Sequence, residues 1–228
     1  DYTALIEKKT GNGKQALKLF VKDSFRIALA TGKIPLSEVP AALNVEILTK
    51  KIKLLHESLI HDFMITSPRI ALLSLNPHSG EKEQAGLEEK EVLTAALASA
   101  SEAGVCCFGP YPADRFFSSE IYKNFDAVLA MYYDQALIPF RSITFGEGAY
   151  IHAGLPVIIT APDQDVAYEL AGKNLSSEAS FRNALYLSVD IFRNRKSDRE
   201  IYANPLRKQY FERGSDNEKL DLTKEDVS

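Results

Sequence analysis

Arg69-Ile70-Ala71-Leu72-Leu73-Ser74-Leu75, then the run from Leu87 to Ala103, then Gly104 and Val105-Cys106-Cys107-Phe108 form the stretch that decides the fold. The first segment is short and almost continuously apolar, the pattern of a strand buried on both faces. In the second, Val92, Leu93, Ala96 and Leu97 recur at helical spacing, and Gly104 stands where a helix would end. The third is again apolar and short. Strand, helix and strand in that order imply parallel strands, because parallel neighbours need a crossover.

Outward from this unit the alternation continues. Ile47, Leu48, Ile52, Leu55, Leu59, Ile60 and Phe63 mark an amphipathic helix that starts near Asn44 and ends before Pro68. Gln15 to Val21 and Ser24 to Thr31, separated by Lys22-Asp23, read as a β-hairpin. Gly11-Asn12-Gly13 ahead of it is turn chemistry, since no strand precedes it and no helix follows it as a dinucleotide fingerprint requires. Downstream, strands are expected at Asp126 to Tyr132, Tyr150 to Ala153 and Pro156 to Thr160, the first after a segment around Phe116, Phe117, Ile121 and Tyr122. A brief helix over Val166 to Ala171 should stop at Gly172. A longer one over Glu178 to Arg193 places Phe181, Leu185, Val189 and Phe192 on one stripe, with Ser176 or Ser177 as its cap. The fold class is therefore α/β, with a mostly parallel sheet flanked by helices and an antiparallel hairpin at its start. This region is expected to span 1–213, and residues 214–228, charged and sparse in apolar side chains, to form a mobile tail.

The 228 residues are 45% hydrophobic and 25% charged, with net charge −4. That balance suits a buried core and excludes disordered, collagenous and coiled-coil chains. The longest apolar runs are far too short for a membrane span. Interleaved acidic and basic residues leave no footprint for nucleic acid or anionic lipid. Cys106 and Cys107 are neighbours that cannot easily bridge, which points to a reducing cytoplasm. The opening has no signal-peptide pattern, and without an initiator Met the chain reads as a fragment.

Ligands of open α/β sheets sit at the carboxyl ends of strands, so the loops after Leu75, Met131 and Thr160 are where chemistry is sought. Asn76-Pro77-His78-Ser79-Gly80-Glu81 offers His78 as a metal ligand or acid–base group, or else as the surface side chain of a turn. In Tyr132-Tyr133-Asp134-Gln135, Asp134 is either a metal or substrate ligand or a helix N-cap. His56 and His61 fall on different helix faces and read as surface or boundary residues, while His152 fits a cleft or a core equally. No HExxH, paired CxxC, GxSxG or Walker loop occurs.

Leu75-Asn76-Pro77-His78-Ser79-Gly80-Glu81, Ala130-Met131-Tyr132-Tyr133-Asp134-Gln135-Ala136-Leu137 and Ala153-Gly154-Leu155-Pro156 together resemble the 4-hydroxythreonine-4-phosphate dehydrogenase family of vitamin B6 biosynthesis. Ile34-Pro35-Leu36, Gly109-Pro110, Pro112-Ala113-Asp114, Glu169-Leu170-Ala171-Gly172 and Asn204-Pro205-Leu206-Arg207-Lys208 extend the likeness to about Tyr210. The resemblance implies an isocitrate/isopropylmalate dehydrogenase-like fold, a homodimer, and NAD-dependent oxidation and decarboxylation of a small phosphorylated amino-acid-like substrate. It also implies a divalent metal, zinc or magnesium, on three histidines. His78 matches one of them; Lys33 and Tyr133 stand at the other two. The family's substrate-holding lysine, asparagine and arginine fall at Arg141, Tyr150 and Ile159, and its later histidine falls at Gln164. Asp1 follows directly on the family's glycine-histidine-threonine segment, so the N-terminal part of the fold is expected to be missing.

On this reading the catalytic candidates are His78, Asp134 and Lys33, and the substrate-binding candidates are Arg141 and Tyr150. A catalytic zinc normally has three protein ligands, and an ammonium beside a divalent cation repels it. Two functions follow: a divergent dehydrogenase in which Lys33 or Arg141 supplies the positive charge, or a catalytically inactive relative that binds or regulates as a homo-oligomer.

Overall fold

The computed structural model describes residues 2–11, 13, 15–77, 88–164 and 168–204, without the side chains of 2–4. Helix α1 (Tyr2–Thr10) leads into the hairpin β1 (Leu17–Lys22) and β2 (Phe25–Leu29), which turns at Asp23 with a positive φ of 52°. The short α2 (Val39–Ala42) and the long α3 (Val45–His61) follow, then β3 (Ile70–Leu73). A π-helical turn (Glu89–Leu93) runs into α4 (Thr94–Glu102), and β4 (Cys107–Tyr111), α5 (Ala113–Ser118), β5 (Ala127–Ala130) and α6 (Tyr133–Thr144) continue the chain. Strands β6 (Ala149–Ala153) and β7 (Thr160–Pro162) and helix α7 (Ala179–Ala203) complete it.

Local chemistry explains most of these boundaries. The Asn44 side chain accepts from Ile47 N at 2.8 Å and caps α3. Gly104, at φ 79°, closes α4, and Val105 N returns to Ala100 O at 3.0 Å. The seven strands form one sheet in the order β4-β3-β5-β2-β1-β6-β7. It is a mixed sheet: pairing is parallel from β4 to β2 and antiparallel from β2 through β1 and β6 to β7.

Two apolar layers cover it. Leu17, Leu19, Ile70, Leu72 and Leu129 pack with Leu48, Ile52, Leu55 and Leu59 of α3 on one face. Phe20, Ile27, Leu29, Ala71, Val128 and Phe116 pack with Leu137 and Phe140 of α6 on the other. Each fully buried Leu or Phe contributes roughly 1.5–3 kcal/mol of transfer free energy, so these layers set the fold.

The helix over Tyr2–Thr10 was not foreseen in the sequence. Several expectations are corrected. The strand expected at Val105 to Phe108 begins at Cys107 and runs to Tyr111. Pro156 to Ile159 is not strand, and the edge strand starts at Thr160. Tyr168–Leu170 forms only a single 3-10 turn before Gly172, and Val166 and Ala167 lie outside the described residues. The stripe expected to be buried on α7 faces outward: Phe181, Leu185, Val189 and Phe192 are exposed, while Ser180, Ala184 and Ile191 face the sheet. Polar anchors fix that rotation. Ser180 Oγ donates to Gly148 O, and Asn194 Nδ2 and Arg195 Nε bond the backbone and carboxylate of Asp62 at 2.7 and 2.5 Å. The tail 214–228 lies outside the described residues.

Candidate functional site

In β1 the side chains alternate, so Leu17, Leu19 and Val21 enter the α3 layer while Lys18 and Phe20 take the opposite face. The antiparallel ladder sets Lys18 against His152 and Phe20 against Tyr150. Lys18, Tyr150 and His152 therefore share one face near the end of β6. Beyond β2, Thr31 ties the following loop to the end of β5: its Oγ1 and N both donate to Met131 O, at 2.7 and 3.2 Å. This fastening brings Lys33, two residues on, opposite Tyr133 in the first turn of α6, with Lys33 Nζ 5.0 Å from the ring centroid.

Lys51 of α3 completes a cavity of about 370 Å³ lined by Lys18, Lys33, Lys51, Tyr133, Tyr150 and His152, among others. Lys18 Nζ lies 3.8 Å from the Tyr150 ring centroid, where the ring face attracts the ammonium. Burial pushes the Lys18 ammonium below its ordinary range, and the Lys33 charge pushes it further. Burial also lowers Lys51, against the pull of Glu7. Glu7 itself accepts from Ala16 N at 2.6 Å. His152 is only 3% exposed, and burial followed by the Lys18 charge lowers its pKa, which favours the neutral imidazole. Its Nδ1 is buried and has no hydrogen-bond partner among the described residues.

The structure thus brings together Lys33, Tyr133 and Tyr150 from the expected site. It also adds Lys18, Lys51 and His152, of which sequence reading had raised only His152, leaving cleft and core open. The alternation of Leu17-Lys18-Leu19-Phe20 was a usable signal for Lys18; nothing local marks Lys51. Asp134 is exposed and lines an adjoining cavity of about 340 Å³ with Lys33 and Tyr133. It is not the N-cap of α6, a position held by Tyr132. Gln135 takes the structural role there, accepting from Met131 N and donating to Ser74 O, each at 2.7 Å. Arg141 does not line the cavity. Its Nη2 and Nε bond Asp163 at 2.9 and 3.2 Å, a fork on a carboxylate that is almost fully buried. His61 bonds Asp198 at 2.9 Å. His78 lies outside the described residues. A cavity of about 510 Å³ beneath α7 is larger, but none of the expected site residues lines it.

The donors that the described residues bring to this cavity do not make up a divalent-metal site. Among the described residues no three His, Cys, Asp or Glu side chains form a group able to hold one. At the two described positions where the family resemblance calls for histidine, the chain presents an ammonium and a phenol, and a protonated ammonium has no lone pair to donate.

Residues 1–188 match the family described as pyridoxal phosphate biosynthetic protein PdxA. The chain is 45% identical over 221 residues to the 4-hydroxythreonine-4-phosphate dehydrogenase of Bacteroides thetaiotaomicron, covering 97% of this chain and 61% of that protein. It is 34% identical over 188 residues to the Roseobacter denitrificans protein of the same name, covering 82% and 58%. The solved 4-hydroxythreonine-4-phosphate dehydrogenase of Klebsiella pneumoniae superposes with a TM-score of 0.73 at 29% identity, covering 83% of this chain and 56% of that one. The chain therefore spans about 60% of the length of these curated relatives. No helix among the described residues is long and apolar enough to cross a membrane.

Proposed function

Because the chain belongs to the PdxA family of pyridoxal phosphate biosynthetic proteins, we propose that it serves the oxidoreductase step of that pathway, the NAD-dependent oxidation and decarboxylation of 4-phosphohydroxythreonine. The observation that carries this reading is the meeting of Lys33, Tyr133 and Tyr150 in one cavity, three positions drawn from separate family motifs. In this role Lys33 supplies positive charge to the bound substrate and Tyr150 helps to hold it; Arg141, which lies outside the cavity on Asp163, would reach the substrate only by leaving that carboxylate. His78 and Asp134 are the proposed acid–base groups. NAD would supply the hydride acceptor for this oxidation; no described residue is assigned to hold it. Because the described residues of the cavity do not suit a divalent metal, no step is assigned to one.

A homodimer belongs to the same proposal. Its support is the uncovered apolar face of α7, where Phe181, Leu185 and Phe192 are 63%, 53% and 59% exposed. A reducing cytoplasmic setting accords with Cys106 and Cys107, which are both free.

The test is NADH formation from 4-phosphohydroxythreonine, with and without zinc or magnesium. Turnover that His78→Ala abolishes supports the dehydrogenase. No turnover under any of these conditions overturns it and leaves the second reading, an inactive binding or regulatory homo-oligomer. That reading is favoured by the Lys33 and Tyr133 replacements, which remove two metal ligands from one cleft.

A further inference from the structure

We infer that the cavity formed by Lys18, Lys33, Lys51 and His152 is a metal-independent site for a phosphate-class dianion. Three ammonium-bearing side chains, from β1, the loop after β2 and α3, converge on one cavity of about 370 Å³. None of the three forms an ion pair with a described residue. The nearby carboxylates are engaged elsewhere: Glu7 on Ala16 N at 2.6 Å, and Asp163 on Arg141 at 2.9 Å. Lys18 instead rests on the Tyr150 ring, a weak partner for a half-buried charge.

His152 lines the same cavity and is 3% exposed. Its Nδ1 is closed to solvent and meets no donor or acceptor among the described residues, which leaves the other ring nitrogen as the one a ligand could use. A phosphoryl group suits the set, because its several oxygens can accept from separate point-like ammonium groups and from an imidazole N–H. The depressed Lys18 and Lys51 ammoniums agree with a site whose positive charges lack a counter-ion. A divalent cation here would instead face three like charges.

The inference deepens the proposed function by placing the phosphorylated end of its substrate in this cavity, and it rests on that reading for the phosphorylated character of the ligand. The binding test is independent of turnover. Inorganic phosphate is titrated calorimetrically into the 228-residue chain in excess EDTA, beside sulfate and acetate. The expected result is saturable binding of phosphate and sulfate, weaker binding of acetate, and no change when EDTA is replaced by zinc. Lys18→Met and Lys51→Met should each weaken phosphate by about tenfold or more, the loss of one charge-assisted contact. Exposed Lys53→Met should leave it unchanged. Thermal melts establish that the variants fold, and Lys18→Arg, which keeps the charge, should retain most of the binding.

Three results would overturn the site: no saturable phosphate binding in EDTA, binding that requires zinc, or equal affinity in Lys18→Met, Lys51→Met and Lys53→Met. If phosphate binds as expected while NADH formation is absent, the dehydrogenase reading fails and the anion site stands. If NADH forms but phosphate binding ignores Lys18 and Lys51, the reverse holds.

Discussion

Lys18 and His152 are direct partners across the β1–β6 ladder, so an ammonium and a buried imidazole occupy adjacent places on one face of the sheet. The consequence is electrostatic. Burial disfavours the imidazolium, and the neighbouring Lys18 charge disfavours it again.

A pH dependence of stability follows. Folding lowers the His152 pKa below the ordinary histidine value of about 6.5, so in the window just under that value the unfolded chain binds more protons than the folded one. Its contribution is complete above that value and is lost as pH falls toward the folded pKa. His56 is shifted in the same direction by burial and adds to the trend. Urea midpoints measured from pH 8 to pH 5 should fall, and His152→Gln should flatten part of that fall. A profile unchanged by the substitution would contradict the assignment.

Arg141 and Asp163 form a fork whose carboxylate side is 3% exposed while the guanidinium side is 37% exposed. Arg141→Met leaves the Asp163 charge buried, and should cost about 1–3 kcal/mol, less than a fully buried pair because solvent reaches the arginine. Adding Asp163→Asn should recover part of the loss. Chemical denaturation of the two single variants and the double variant checks this: additive losses would mean that the pair is not coupled.

Gly109 has φ 139°, and a Cβ there would come within 2.4 Å of Leu72 O in the neighbouring strand. Gly109→Ala should therefore destabilise the β3–β4 edge by about 2–4 kcal/mol, combining backbone strain with displacement of a buried carbonyl. Thermal unfolding reads the effect directly; a melt within a degree of the parent would refute the close approach.

Lys33 and Tyr133 face each other, with the ammonium 5.0 Å from the ring centroid. Replacing both with histidine removes a repelling charge and adds two imidazoles, which together with His78, the position that matches the remaining family histidine, make three donors, so Lys33→His/Tyr133→His should take up zinc. Either change alone should do little, because a stable zinc site needs at least three donors. Elemental analysis after dialysis against zinc decides: equal metal content in all four proteins would rule the geometry out.

Much of the fold was legible because its signals are local. The α3 periodicity, the Asn44 cap, the hairpin, the continuous apolar β3 and the Gly104 stop each depend on residues within a few positions of one another. The α7 stripe shows where that logic stops. Phe181, Leu185, Val189 and Phe192 have the right spacing for burial, but a helix with apolar residues on more than one side has no unique inward face. Ser180, Asn194 and Arg195 chose it, through bonds to Gly148 and Asp62 that lie far away in sequence. Arg141 is similar: its charge was plain, but its engagement by Asp163 was not.

The sequence by itself determined the α/β class, the hairpin, the family motifs and the presence of a lysine and a tyrosine at positions 33 and 133, where the family resemblance calls for histidine, since all of these are written in residue order. The tertiary structure alone decided that Lys18, Lys51 and His152 stand beside those two residues. Their convergence depends on the β1–β6 register, on the rotation of α3 and on Thr31 fastening the loop after β2 to the end of β5. Each of these is a long-range contact, and a charge's neighbours in space, not in sequence, set what it can bind.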